Sequence, residues 1–285
     1  MTESQSDPAG APVEPPAKPP ASGMSNLTKR VLASIVMIAV ASLCLALGDL
    51  AFWLLAVVVA LFMMAEWSDL LKVDRSRKRL AQFTLSVPLA IMAPGLAAGP
   101  GFFALGLIAA SFFFLTIISR RPEYGAGALY VGLPVLSLLA IRLHEDGLAL
   151  SLWAMALVWA CDSGAFFVGR QFGGPKLAPT ISPAKTWSGL IGGVAAATLL
   201  AMAMRWAHGL PLHLVVATPF LAVLAQGGDL FESALKRRAG VKDSGNVLPG
   251  HGGVMDRLDG IVPVAPDAMA PVRANAVRTL ETRTS

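Results

Sequence analysis

The sequence predicts an all-α, polytopic integral membrane protein with about eight transmembrane helices. Three observations predict it. The 285-residue chain is 55% hydrophobic and only 14% charged, with a mean hydropathy of +0.62, whereas a soluble domain carries about 25% charged residues. Its apolar residues fall into runs that approach the ~20 residues needed to cross a bilayer. Its lysines and arginines gather in alternate loops, as the positive-inside rule requires of a multi-pass protein.

Residues 1–26 are rich in Pro, Ala and Ser and read as a disordered tail. The first apolar run follows this tail rather than lying within it, so no cleavable signal peptide is expected. Apolar runs then occupy residues 31–48, 51–65, 82–98, 101–119, 126–141, 147–168, 189–206 and 211–226. Gly48-Asp49, Gly99-Pro100-Gly101 and Gly209-Leu210-Pro211 mark tight turns between them. The organisation expected is an N-terminal transmembrane region over 27–125, a catalytic transmembrane region over 126–260, and a C-terminal tail over 261–285. In that tail Pro263, Pro266 and Pro271 break up the apolar residues, and the longest run left is too short to span, so a ninth helix is not counted.

Charge sorts with this count. One set of loops holds Lys29 and Arg30, Lys72 to Arg79, Arg120 and Arg121, Arg170 to Lys185, and Lys236 to Arg257; the opposite set holds only Arg142 and Arg205. A multi-pass protein of the inner (cytoplasmic) membrane is therefore expected, with residues 169–187 and 227–260 facing the cytoplasm, where nucleoside triphosphates are found. The net charge of +5 belongs to this loop bias, and no nucleic-acid-binding signature accompanies it. Cys44 and Cys161 lie in apolar runs and read as inert buried thiols.

The chemistry concentrates between Ser233 and Gly260. This short glycine-rich segment carries Lys236, Arg237, Arg238, Lys242, Asp243, His251, Asp256, Arg257 and Asp259. Cations and glycine-exposed backbone N–H groups receive phosphate, and carboxylates hold a hard divalent ion. Just upstream, Asp229, Glu232, Ser233 and Lys236 share one helix face by their i, i+3, i+4, i+7 spacing. That face is either the solvated end of a helix or a wall of an active site with Asp229 as a metal ligand, on whose ion Asp256 can close. Arg257 suits a bidentate phosphate grip, whereas Lys242 acts as a point charge; Asp243 either orients Lys242 or joins the metal. Lys236 to Arg238 fit a phosphate or an anionic lipid headgroup. A second constellation starts at Asp162, a charge placed within an apolar run. It continues through Ser182, Pro183, Lys185, Thr186 and Trp187, a compact loop before the next helix. No P-loop and no Rossmann glycine motif are present, so nucleotide binding must come from these membrane-proximal loops.

These motifs also carry a resemblance. S-x-L-K-R at Ser233–Arg237, K-D-S-G at Lys242–Gly245, and P-G-H-G-G-x-x-D-R-x-D at Pro249–Asp259 resemble the signature of phosphatidate cytidylyltransferases, the CDP-diacylglycerol synthases. The D-S-G-A element at Asp162 and the S-P-x-K-T-W element at Ser182 match the same family, which the chain resembles over residues 126–260. The resemblance implies that CTP and phosphatidate become CDP-diacylglycerol and pyrophosphate. It implies Asp229 and Asp256 as the metal pair for Mg²⁺, with a second cation left open. Lys242, Asp243, Arg257, Lys185 and Asp162 would serve catalysis, and Ser182, Thr186, Lys236, Arg237, His251, Gly252 and Gly253 substrate binding. Partners would be CTP, phosphatidate and membrane lipids, with no nucleic acid; a homodimer is left open. Two alternatives stand beside this: a CTP-dependent enzyme acting on a polyprenol or ether lipid, and a transporter. Clustering of the charges at one membrane face and the lack of apparent inverted repeats argue against a transporter.

Overall fold

Each of the eight apolar runs forms a helix. The computed structural model describes residues 26–247 and 252–269. In chain order these give α1 (Asn26–Leu47), α2 (Asp49–Leu70), α3 (Arg75–Ile91), α4 (Phe102–Ser119), α5 (Pro122–Arg142) and α6 (Gly147–Phe172). A hairpin of β1 (Lys176–Ala178) and β2 (Ser182–Thr186) follows, then α7 (Trp187–His208), α8 (Leu212–Ala239) and α9 (Met255–Leu258). Residues 261–269 are again helical. The tail expected over 1–26 falls almost wholly outside the described residues, as do His251 and everything after 269.

Six helices, α2 and α4 to α8, are long and apolar enough to cross a membrane. The expected count of about eight is thus met by six on this criterion. α3 is the departure, with 17 residues that open on Arg75, Arg77, Lys78 and Arg79. At ~1.5 Å per residue such a helix is shorter than a ~30 Å hydrocarbon core. The described apolar part of α1, Ile35–Leu47, is also short of a span.

Local chemistry sets the helix ends. The Asp74 carboxylate caps α3 by accepting from Arg77 N at 3.0 Å, and Pro122 opens α5, where its missing N–H costs nothing. Gly209 and Gly240 end α7 and α8 in left-handed conformations that favour glycine.

Two apolar clusters hold the bundle. One joins α1 to α5 around Met64, Leu85, Ile108, Leu115 and Tyr124. The other joins α6, α7, α8 and residues 261–268 around Trp153, Leu157, Leu214, Ala222 and Val264. Leu138, Met155 and Leu258 touch both. α6 and α7 approach closely because their facing residues are small: a Cβ on Gly192 would lie 2.4 Å from Val168 Cβ.

Cross-contacts define the two ends of the bundle. At one end Arg142 Nε donates to Leu45 O at 3.1 Å, tying the close of α5 to the close of α1. At the other, Trp67 Nε1 donates to Glu123 O at 3.1 Å and Tyr124 Oη to Arg77 O at 2.5 Å, joining α2, α3 and α5. The loops after α2, α4, α6 and α8 meet at this second end. These are the lysine- and arginine-rich loops of the sequence.

Candidate active site

The site is built where α8 leaves the bundle. Its last turns carry the expected face: Ser233 Oγ donates to Asp229 Oδ1 at 3.3 Å, and Lys236 Nζ donates to Glu232 Oε2 at 3.3 Å. Both are i, i+4 contacts, as helical spacing dictates. Gly240 turns the chain, and Asp256, at the start of α9, lies against the end of α8 through Lys236.

Two lysines organise the carboxylates. Lys185 Nζ, on β2, lies 2.6 Å from Asp229 Oδ2 and donates to Gln226 Oε1 at 3.1 Å. Gln226 turns its amide the other way, with Nε2 2.9 Å from Asp162 Oδ1. Asp162 on α6, Lys185 on β2 and Asp229 on α8 are therefore one continuous polar chain. Lys236 makes the second junction, with Nζ 2.6 Å from Asp256 Oδ1. The two expected metal ligands thus stand at one end of the bundle, each held by a different lysine.

Asp256 is heavily bonded. Its Oδ2 accepts from Ser244 N at 2.9 Å and Gly253 N at 2.8 Å, and lies 3.0 Å from Ser244 Oγ, whose one proton it shares with Glu66. Burial, the largest single influence, pushes its carboxyl up. The hydrogen bonds from Lys236, Gly253 and Ser244 outweigh that and hold it below the usual carboxylate range. Asp259 has the opposite balance: burial, then the nearby Asp229 charge, pushes it up. It lies against Glu232, which is 0% exposed and whose Oε1 has no hydrogen-bond partner.

Other expected site residues separate by exposure. Lys242, Asp243 and Arg257 are exposed. Arg237 Nε donates to Ile181 O at 3.4 Å and so ties α8 to the hairpin. The compact loop expected over 182–187 is instead mostly strand β2, paired with β1 in the register Lys176↔Thr186 and Ala178↔Ser182. Among the described residues β1 and β2 form a two-stranded hairpin in an otherwise helical fold, and it carries Lys185 to α8. Thr186 is buried at the start of α7, where its Oγ1 accepts from Gly189 N at 3.1 Å as an N-cap. Gly253 gives its N–H to Asp256, so that donor is already taken within the protein.

The sequence analysis missed Glu66. This residue of α2 is 2% exposed. Its carboxylate accepts from Val254 N and Met255 N, each at 2.8 Å, and from Ser244 Oγ at 3.0 Å. A charged residue closing an apolar run is a signal in itself, but its partners lie 178 to 189 positions away.

The surplus of negative charge fits a cation. Among the described residues, Asp162, Asp229, Glu232, Asp256 and Asp259 gather around the ammoniums of Lys185 and Lys236, and one buried Glu232 oxygen has no hydrogen-bond partner. Among the described residues no group of three or more His, Cys, Asp or Glu side chains is placed to hold a metal alone. An ion here would take one or two carboxylates and complete its shell with phosphate oxygens and water, the usual habit of Mg²⁺.

Fold and site together define a multi-pass membrane protein with a carboxylate- and lysine-lined centre at one end of its helices. Residues 28–274 match the Cytidylyltransferase family. The chain is 38% identical over 260 residues to the phosphatidate cytidylyltransferase of Brucella suis biovar 1, covering 85% of this chain and 92% of that relative. It is 46% identical over 143 residues to the phosphatidate cytidylyltransferase of Bacillus subtilis, covering 49% and 53% of the two chains. A third relative of that name, from Haemophilus influenzae, is 47% identical over 131 residues, or 42% and 44%. The chain belongs to the cytidylyltransferase family.

Proposed function

We propose that this protein is a phosphatidate cytidylyltransferase, transferring the cytidylyl group of CTP to phosphatidate to give CDP-diacylglycerol and pyrophosphate. A phosphate oxygen of the lipid attacks the α-phosphorus of CTP, and the bond from that phosphorus to the α–β bridging oxygen breaks. The electron pair leaves with pyrophosphate. A phosphomonoester is already ionised near neutral pH, so no general base is needed. What remains is to bring two anions together and stabilise the leaving group.

The observation that carries the reading is the pair of lysine–carboxylate junctions, Lys185–Asp229 and Lys236–Asp256, at one end of the bundle. Asp229 and Asp256 would hold Mg²⁺. When bound, that ion supplies charge neutralisation at the phosphates. Each aspartate already holds a cationic group at 2.6 Å, and the substrate triphosphate offers those ammoniums a new anionic partner. Lys185, Lys242 and Arg257 then bind phosphate, Arg257 as a fork and the lysines as point charges. Asp162 orients Lys185 through Gln226. Ser182 and Arg237 lie beside the same centre, Arg237 bonded to Ile181 O.

The site faces the cytoplasm of an inner-membrane protein in this reading, and α1 and α3 complete an eight-span bundle. The even count returns α8 to the side from which α1 starts. Purified protein in detergent should release pyrophosphate from CTP only when phosphatidate and Mg²⁺ are both present, and label in the α-phosphate of CTP should enter the lipid. Entry of the γ-phosphate instead would make the protein a lipid kinase and overturn the reading.

A further inference from the structure

We propose that Glu66 is a positioning residue for the transfer reaction, holding Ser244, Val254 and Met255 in place from the opposite half of the bundle. The inference rests on the function proposed above and extends it to a residue outside the signature motifs.

Three donors converge on this one buried carboxylate: Val254 N, Met255 N and Ser244 Oγ. The same Ser244 Oγ lies 3.0 Å from Asp256 Oδ2. Glu66 is therefore a single hydroxyl away from a carboxylate of the reaction centre. The loop glycines fit around it. A Cβ at Gly253 would lie 2.6 Å from Glu66 Oε2 and 2.1 Å from Ser244 Oγ, and one at Gly245 would lie 2.8 Å from Glu66 Oε1. Contacts that short essentially never occur in real side chains, so both positions need glycine to admit the carboxylate. These loop glycines thus give clearance for an internal anion. Phosphate groups fall to Lys185, Lys242 and Arg257.

Glu66 is 2% exposed, and its carboxylate is turned to the protein rather than to solvent. It holds the backbone that presents Asp256 to Lys236, and a site loosened by about an ångström loses much of its rate. Glu66→Gln is isosteric but places an amide –NH₂ against backbone donors, leaving a buried N–H unpaired.

The test has two arms. In the first, parent protein and Glu66→Gln are assayed with CTP, phosphatidate and varied Mg²⁺, with thermal unfolding followed in parallel. The variant should lose at least ~30-fold in kcat and need more Mg²⁺ for half-saturation, beyond any loss of folded protein, since one buried unpaired donor is sufficient for such a loss. In the second, Val254→Cys is placed in a Cys44→Ser, Cys161→Ser background and its reaction with a maleimide is timed. Val254 is buried, so labelling should be slow with Glu66 present and about 10-fold faster with Glu66→Gln as the loop opens locally. If Glu66→Gln fails to fold, Ser244→Ala, which removes only the bridging hydroxyl, should show the same Mg²⁺ shift. Parental kcat and Mg²⁺ dependence in the folded variant, or unchanged labelling, overturns the proposal. An inactive parent would sink the cytidylyl-transfer reading instead, and the labelling arm would still decide the role of Glu66.

Discussion

Lys236 Nζ lies 2.6 Å from Asp256 Oδ1 and 3.3 Å from Glu232 Oε2, so one ammonium joins the end of α8 to α9. This buried junction makes Asp256 a residue of both fold and site.

Removing one partner of a buried pair costs about 3–5 kcal/mol, because the other charge is left uncompensated. Asp256→Asn should therefore lose both stability and turnover. Asp229→Asn, half-exposed beside Lys185, should lose turnover with a smaller loss of stability. The double variant should be little slower than either single one, as expected for groups acting as a unit. Near-normal turnover of either single variant at saturating Mg²⁺ would remove that residue from the ion.

Acid should erase the Asp256 advantage. Its folded carboxyl titrates below the usual range, so its contribution is full above the unfolded value near ~4 and is lost as pH falls through the folded value. The stability gap between the parent and Asp256→Asn should be constant from neutral pH to about pH 5 and shrink below pH ~4. Denaturant unfolding at stepped pH measures it. A gap that widens on acidification would contradict the hydrogen-bonded geometry.

Topology can be read with thiols. Ser244 is buried against Glu66 and Asp256, which makes it a poor reporter, whereas Ser76, Asn246 and Glu145 are exposed. Cysteines at Ser76 and Asn246 should be labelled only from the cytoplasmic side, and one at Glu145 only from outside. Labelling of the Asn246 position in intact cells by an impermeant reagent would invert the proposed orientation.

Thr186 separates capping from substrate binding. As an N-cap, its loss in Thr186→Ala should cost about 1 kcal/mol, with the KM for CTP unchanged and Thr186→Ser restoring stability. A raised KM in a fully stable Thr186→Ala protein would return the hydroxyl to the substrate.

Much of the architecture was legible because lipid leaves a chain few options. Every buried N–H needs a partner within its own segment, so apolar runs become helices. That is why a helix appears at each run, although the one expected over 82–98 is shifted to Arg75–Ile91. The short, basic α3 departs from the spanning criterion because its first turns lie among charges rather than in hydrocarbon. Within the site, the i, i+4 pairs on α8 follow from helical spacing alone. The Lys185–Asp229 junction joins two motifs that sequence could only set side by side, and Glu66 was passed over because its partners are brought to it by packing. The hairpin was hidden as well: three- and five-residue strands with polar residues carry too little alternation to distinguish them from a loop.

α8 has 28 residues and so measures about 42 Å, some 12 Å more than a typical hydrocarbon core. Its apolar part is a depth gauge. Glu232 and Lys236 stand within the last ~12 Å, the overhang, and Asp229 one turn before them, on a rigid rod rather than a flexible loop. A lipid phosphate diffusing in the plane of the membrane and a nucleotide arriving from the water phase reach that overhang at the same height. Lengthening the surrounding acyl chains would raise the interface along the rod and draw Asp229 toward hydrocarbon. The composition of the bilayer would in this way be coupled to the transfer step.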